Sequence, residues 1–164
     1  TMVREKTKME KMLISGVAAD KNVAKIRVAG LGNDPESTFR LLNLLDRNNL
    51  NIDVMIQSLG KDGTKSVSFT VAKPDMLRTI DVLNDNKDSL GIKKLDYDEN
   101  VAKISVIGAG VRSHSGVAAK MFGALANAGI NTEMITTSEI RITALIDEAY
   151  ADQAMRAIHE TFLE

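Results

Sequence analysis

The amino-acid sequence predicts an α+β fold built from two copies of one module, each with the element order β-α-β-β-α-β. Two observations predict it. Residues 24–32 (AKIRVAGLG) recur as residues 102–110 (AKISVIGAG). Within each copy, the spacing of the apolar residues changes between a period of two, typical of strands, and a period near 3.6, typical of helices. A chain of 164 residues accommodates two small domains of this kind.

Two further matches follow the first in the same order along the chain. Residues 50–53 (LNID) correspond to residues 130–133 (INTE), and residues 67–71 (VSFTV) correspond to residues 142–146 (ITALI). Three matches in a conserved order at similar spacing are not expected by chance. An internal repeat determines the architecture of the whole chain, so the individual helices and strands are assigned within the repeat.

The first copy contains all six elements of the module. Pro35 is a helix start signal, and the Asp-Gly pair in residues 60–63 (GKDG) is typical of a hairpin turn because it tolerates positive φ. The periodicity and these signals predict, in order, a strand at 24–29, a helix at 37–48, strands at 52–59 and 65–72, a helix opened by Pro74-Asp75 and a strand at 92–97.

The second copy repeats the pattern but has no fourth strand before the sequence ends at Glu164. The final helix is predicted to start near Asp147 as its N-cap, with apolar residues at helical spacing behind it. The elements predicted before it are a strand at 102–107, a helix at about 115–128 and strands at 132–138 and 140–146.

An apolar segment near the N-terminus, residues 12–18 (MLISGVA), is the candidate for the missing strand. If it completes the second module, the first module (residues 22–98) is inserted within the second (residues 12–21 plus 99–164), and residues 1–11 form a charged extension. The alternative is that residues 12–18 extend the sheet of the first module. An apolar strand without a partner is unfavourable at a sheet edge, which favours pairing in either case.

Composition excludes several classes of function. The chain has 21 Lys+Arg against 22 Asp+Glu, which argues against wrapping nucleic acid or binding an anionic membrane surface. Zero cysteines and two histidines leave no thiol chemistry and too few ligands for a zinc or histidine-rich metal site, so no cofactor or metal is expected. The charged N-terminus lacks the apolar stretch of a signal peptide, and we expect a cytoplasmic protein.

Two glycine-containing turns each join a strand to a helix, at residues 30–35 (GLGNDP) and 108–116 (GAGVRSHSG). A helix N-terminus at such a turn offers unpaired N–H groups and a positive dipole end, which suit a carboxylate or a phosphate. The spacing does not match the dinucleotide fingerprint G-x-G-x-x-G. The alternative is a tight turn that needs glycine only for its backbone conformation.

Polar side chains recur where the second strand of each copy begins. Asn51 with Asp53, and Asn131 with Glu133, place an amide and a carboxylate two residues apart, on one face of a predicted strand. Gln57 lies further along the first of these strands. Amides and a helix N-terminus suit the carboxylate of an amino acid, and a carboxylate suits its ammonium group. The alternative is that the two asparagines only end turns.

Three segments carry a resemblance to a known family. Residues 14–28 (ISGVAADKNVAKIRV), 101–122 (VAKISVIGAGVRSHSGVAAKMF) and 129–146 (GINTEMITTSEIRITALI) resemble the regulatory region of aspartate kinases, which consists of paired ACT domains. The resemblance covers about residues 12–164. It implies a ferredoxin-like fold for each module, side-by-side pairing of modules in a homodimer, and lysine or threonine, or both, as feedback effectors. It also implies an aspartate kinase catalytic domain or subunit as a partner outside this chain.

The resemblance also places effector contacts on this sequence. In the first module they fall at Asn33, Asp34, Pro35, Glu36, Ser37, Thr38, Asn51, Ile52, Asp53 and Gln57; in the second they fall at Val117, Ala118, Asn131, Thr132, Ser138 and Glu139. The chain departs from the family at Glu36, where a glycine is usual, and at Ser115, where a proline is common. Glu36 places a negative charge where backbone N–H groups would approach an effector carboxylate.

Two other classes of function compete with an effector-binding regulator. One is an interaction module that holds kinase subunits together without binding an effector. The other is an enzyme on a ferredoxin-like fold, because a fold alone does not determine function. The sequence offers no nucleophile motif, catalytic arginine or cofactor motif at its turns, so the enzyme is the less favoured of the two.

Overall fold

The computed structural model describes residues 16–108, 114–138 and 140–163. These residues form two compact units. Unit 2 is the continuous segment Asn22–Glu99, whereas unit 1 combines the residues up to Lys21 with those from Asn100 onward. The α+β class predicted from the sequence is confirmed.

The strands are hydrogen-bonded in the order β2-β3-β1-β4-β6-β5. The pairs β1/β3, β2/β3, β4/β6 and β5/β6 are antiparallel. Because the boundaries between the units fall inside β1 and β4, each of these long strands contributes one part to each unit. The strands are β1 (Gly16–Leu31), β2 (Met55–Leu59), β3 (Lys65–Ala72), β4 (Lys94–Ile107), β5 (Met134–Thr137) and β6 (Arg141–Asp147).

The long helices follow the strands in the order that the repeat predicts, and the short helix Lys87–Leu90 is an element that the sequence analysis did not predict. Short 3₁₀ turns, Lys73–Asp75 and Glu148–Tyr150, precede the last long helix of each unit. The helices are α1 (Pro35–Arg47), α2 (Met76–Asp85), α3 (Lys87–Leu90), α4 (His114–Asn127) and α5 (Ala151–Leu163).

Unit 2 has its core between its strands and α1 and α2. Ile26 of β1 lies opposite Phe69 of β3 in the antiparallel register, and both side chains are fully buried. The alternation of the strand places every second residue on this face. The helical residues of the same core are Leu41, Leu44, Leu45, Met76 and Leu83.

Unit 1 repeats the arrangement. Ile104 of β4 lies opposite Ala144 of β6, and both belong to its core. On the opposite side of these two strands, the buried hydroxyl groups of Ser105 and Thr143 satisfy each other in a hydrogen bond of 2.9 Å. The helical residues of this core are Met121, Ala124, Leu125, Ala151, Ala154, Ile158 and Phe162.

Two pairs of predicted strands are continuous in the structure, which corrects the sequence prediction. The described part of the predicted strand 12–18 continues into the strand predicted at 24–29 as β1, and the strands predicted at 92–97 and 102–107 are both parts of β4. Residues 12–15 lie outside the described residues. The connecting residues, such as Asp20 and Glu99, have exposed charged side chains, which an extended backbone beside a partner strand accommodates.

Other boundaries shift by a few residues. α1 begins at Pro35 rather than at 37, because Asp34 has the extended backbone of an N-cap (φ −122°, ψ 157°) and proline fits the first helical position. β2 begins at Met55 rather than at 52. The predicted N-cap Asp147 accepts a bond from the N–H of Ala149, so it caps the 3₁₀ turn ahead of α5.

Equivalent hydrogen bonds end the first helix of each unit. The N–H of Leu50 donates to the carbonyl of Leu45, and the N–H of Ile130 donates to the carbonyl of Leu125, each at 2.9 Å. A side chain from the second helix then binds a carbonyl of the same turn: Arg78 binds that of Asn48, and Gln153 binds that of the corresponding Ala128 at 3.2 Å. These bonds give a residue-by-residue correspondence between the two units.

Candidate functional site

The last residues of β1, where its register with β3 shifts, are held close to the chain that enters β4. Gly30 has a left-handed backbone (φ +85°), and a Cβ atom there would lie 2.5 Å from the Cβ of Lys93. The N–H of Lys93 donates to the carbonyl of Ala29 at 2.9 Å. Glycine is therefore required at this position both by its φ angle and by space.

Asp34 organises the loop between β1 and α1. The hydroxyl of buried Ser37 donates to its Oδ1, and the guanidinium of Arg40 lies 3.8 Å from its Oδ2. The ammonium of Lys65, at the start of β3, donates to the Asp34 carbonyl at 2.9 Å. The loop is thus tied to α1 and to β3. The sequence analysis missed Arg40 and Lys65, and a contact between residues so far apart as Asp34 and Lys65 leaves no local pattern that could have revealed it.

Ser37 controls the protonation of Asp34. The hydrogen bond from its hydroxyl is the main reason that the pKa of Asp34 lies below its ordinary value, with a smaller contribution from the charge of Arg40. Because the pKa in the folded state is lowered, the contribution of Asp34 to stability is present at neutral pH and is lost as the pH falls through that pKa. We expect Ser37→Ala to raise the pKa of Asp34 toward the ordinary value, as measured by carboxyl NMR titration.

Asp62 provides the internal control for this titration. Its pKa is lowered by the hydroxyl and the N–H of Thr64 in the β2–β3 turn, away from Ser37. In Ser37→Ala the pKa of Asp62 should stay low while that of Asp34 rises. Equal pKa values for Asp34 in the two proteins would show that the serine hydroxyl does not control it.

A hydrogen bond joins the start of α1 to β2. The hydroxyl of Thr38 donates to Oε1 of Gln57 at 2.6 Å. The structure therefore brings together two of the expected effector contacts, Thr38 from the segment 33–38 and Gln57 on the following strand. Around them, Asn33, Pro35 and Glu36 are exposed at the beginning of α1.

The residues predicted at the start of β2 lie in the segment that precedes it, so the prediction that Asn51 and Asp53 belong to the strand is wrong. Their side chains are exposed, whereas Ile52 is half-buried and packs against the unit 2 core. The segment is nevertheless anchored, because the N–H of Asp53 donates to the carbonyl of Thr70 at 3.1 Å.

The corresponding positions of unit 1 form a less polar group. Val117 and Ala118 are half-buried on α4 and pack against the unit 1 core. Before β5, Asn131 is exposed and Thr132 half-buried; after it, the N–H of Ser138 donates to the carbonyl of Arg141 at 2.7 Å. Glu139 lies outside the described residues, as do residues 109–113 of the second glycine turn.

Two features are absent from the part of the chain that the structure describes. No group of three or more histidine, aspartate or glutamate residues there could hold a metal ion. None of its helices is both long and apolar enough to span a membrane.

Comparison with known proteins identifies the class. The ACT domain family matches residues 104–162. A solved chain of the aspartokinase alpha and beta subunits is 42% identical, with a TM-score of 0.85 and coverage of 92% of this chain and 99% of that one. The ligand-free regulatory subunit of aspartate kinase from Thermus thermophilus is 33% identical, with the same TM-score and coverage. The fold and these matches define an ACT-type regulatory protein.

The chain belongs to the aspartate kinase family, as its regulatory region. It is 37% identical over 162 residues to the aspartokinase of Pseudomonas aeruginosa, an alignment that covers 99% of this chain and 39% of that enzyme. The chain thus spans about two fifths of the length of such relatives, and the 164 residues correspond to their regulatory part, with the kinase domain outside them. The E. coli aspartokinase III solved in complex with lysine and aspartate has the same fold, at 22% identity over 93% of this chain and a TM-score of 0.73.

Proposed function

We propose that this chain is the effector-binding regulatory part of a cytoplasmic aspartate kinase. It binds lysine, threonine or both where ACT modules of two copies meet, and it transmits feedback inhibition to the kinase catalytic domain or subunit. The proposal includes the division into two ACT modules, residues 22–98 and residues 12–21 plus 99–164. The two compact units, one continuous and one interrupted by it, support this division.

The single observation that carries the proposal is the contact between Thr38 and Gln57, because it unites the loop and strand halves of the expected site. The N-cap Asp34 makes no side-chain bond to the backbone N–H groups of α1, which supports a carboxylate site there, although exposed Glu36 in the same turn adds a negative charge beside it. Exposed amides at Gln57 and Asn51 offer hydrogen bonds to the rest of a zwitterion. Lysine bound to a distant neighbour of the same fold supports the ligand class.

Exposed apolar side chains support the pairing of two copies. β2 is at one end of the strand order, so one of its edges has no strand beside it among the described residues. Leu59 on β2 is 63% exposed and Phe39 on α1 is 65% exposed, and these two elements are joined by the Thr38–Gln57 bond. An open strand edge beside apolar side chains is suited to pairing with another chain.

Isothermal titration calorimetry with lysine and threonine, separately and together at millimolar concentration, tests the proposal. We expect binding by the unaltered chain and an affinity about tenfold weaker in Gln57→Ala, since a lost hydrogen bond to a charged ligand costs about 1.5 kcal/mol. The control is Gln153→Ala, which removes an exposed glutamine of unit 1 that binds the Ala128 carbonyl and should leave the affinity unchanged.

An interaction module that joins kinase subunits without binding an effector is the second candidate, favoured by the exposure of Leu59 and Phe39. It predicts a dimer in analytical ultracentrifugation but no heat in any of the three titrations. That result would reject the effector-binding proposal. Binding alone does not produce regulation, because an effector must also favour one conformational state over another.

A further inference from the structure

We propose that Thr38 is a positioning residue for the effector site: its hydroxyl holds the carboxamide of Gln57 in the orientation that meets the ligand. The inference rests on the proposed function, since it concerns the same site. It assigns to Thr38 a role that acts through Gln57 and needs no contact between Thr38 and the ligand.

The two partners differ in how firmly the fold holds them. Thr38 lies in the first turns of α1 next to Ser37, which is 2% exposed, and threonine has few χ1 rotamers. Gln57 is exposed on β2, with three side-chain torsions to order. The 2.6 Å bond from Thr38, which the helix holds in place, therefore restricts the side-chain torsions of Gln57.

The bond also selects one of the two orientations of the carboxamide. The oxygen and the NH₂ group of glutamine are similar in size, so only hydrogen bonds distinguish the two orientations. With Oε1 accepting the hydroxyl of Thr38, the NH₂ donors are left to face a ligand. A glutamine side chain that is already ordered in the free protein loses less conformational entropy when an effector binds.

The described residues of unit 1 that correspond to Thr38 and Gln57 do not form this bond. The helix-end correspondence, Leu45 with Leu125 and Leu50 with Ile130, places Ala118 at the position of Thr38 and Thr137 at the position of Gln57. Register supports the second assignment, because Gln57 pairs with Val67 on β3 as Thr137 pairs with Ile142 on β6. Alanine has no hydroxyl to donate, so the positioning device belongs to unit 2.

Calorimetric titrations with lysine and with threonine, on four variants of the whole chain, test the role of Thr38. Thr38→Val keeps the side-chain shape but removes the hydroxyl. Gln57 must then be ordered when the ligand binds, and we expect this entropic cost to weaken the affinity about fivefold. Thr38→Ser should bind as the unaltered chain does. In the Gln57→Ala background, Thr38→Val should cause no further loss.

The matched control is Thr161→Val, because Thr161 is an exposed helical threonine of α5 whose hydroxyl donates to the Ala157 carbonyl of its own helix. It should leave the affinity unchanged. Unchanged affinity in Thr38→Val would overturn the proposal. So would an equal loss in the presence and absence of Gln57, since Thr38 would then act independently of it.

If the unaltered chain binds neither amino acid, the proposed function fails, and the bond is then measured without a ligand. Urea unfolding of the unaltered chain, Thr38→Val, Gln57→Ala and the double variant gives the coupling between the two side chains. Non-additive changes in stability would support the positioning of Gln57 by Thr38, and additive changes would reject it.

Discussion

Leu83→Ala is expected to destabilise unit 2 by about 2–5 kcal/mol. Leu83 is fully buried on α2 and belongs to the unit 2 core. Its replacement removes apolar burial and leaves a cavity that the surrounding side chains fill only in part, because the strands of the same core restrict their movement. Urea unfolding followed by circular dichroism measures the change.

The same helix offers the matched control. Leu77 of α2 is 68% exposed, so Leu77→Ala makes the identical chemical change where little apolar surface is buried. Alanine is the better helix former, and we expect a change within about 0.5 kcal/mol of zero. Equal losses in the two variants would contradict the assignment of Leu83 to the core.

Gly30→Ala is the second substitution with a large expected effect, a loss of about 2–5 kcal/mol. The φ of +85° costs an L-residue about 1–2 kcal/mol, and the new Cβ would lie 2.5 Å from the Cβ of Lys93. A Cβ atom is fixed to its backbone, so no change of rotamer relieves the overlap, and overpacking adds about 1–3 kcal/mol. Thermal and urea unfolding both report the loss.

Gly63→Ala separates these two causes. Gly63 has a similar φ of +80°, but nothing lies within 4 Å of a Cβ atom there. It should lose only the cost of the backbone conformation, about 1–2 kcal/mol. If Gly30→Ala loses no more than Gly63→Ala, the close approach to Lys93 does not contribute.

Much of the fold was accessible from sequence because the core residues repeat at the periods of their elements. The spacing of Leu41 and Leu45 predicted α1, and the alternation from Val67 to Val71 predicted β3. The continuity of β1 was not predictable in the same way. Its exposed residues around Asp20 carry no apolar alternation, and they adopt the strand through pairing with β4, which is a tertiary effect.

The candidate site was predictable only in part. The loop and strand residues were identified from turn chemistry and from the family resemblance, and the structure joins the two groups through Thr38 and Gln57. The bond from Lys65 to the Asp34 carbonyl was not predictable, because it depends on the β2–β3 hairpin bringing the start of β3 to a loop of distant sequence. Side-chain contacts across such separations follow from the fold and leave no periodic signal.

The division of β1 between the two units has a consequence for how the chain folds during synthesis. All residues of the continuous unit are available once the ribosome has added Glu99, whereas the partner of residues 16–21, in β4 beyond Asn100, is made later. Domains generally fold as units in the order of synthesis. Residues 16–21 therefore remain without their partner strand while unit 2 folds. Ala18, Ala19, Asp20 and Lys21 of this segment are small or charged. The unpaired segment therefore presents little apolar surface to other nascent chains.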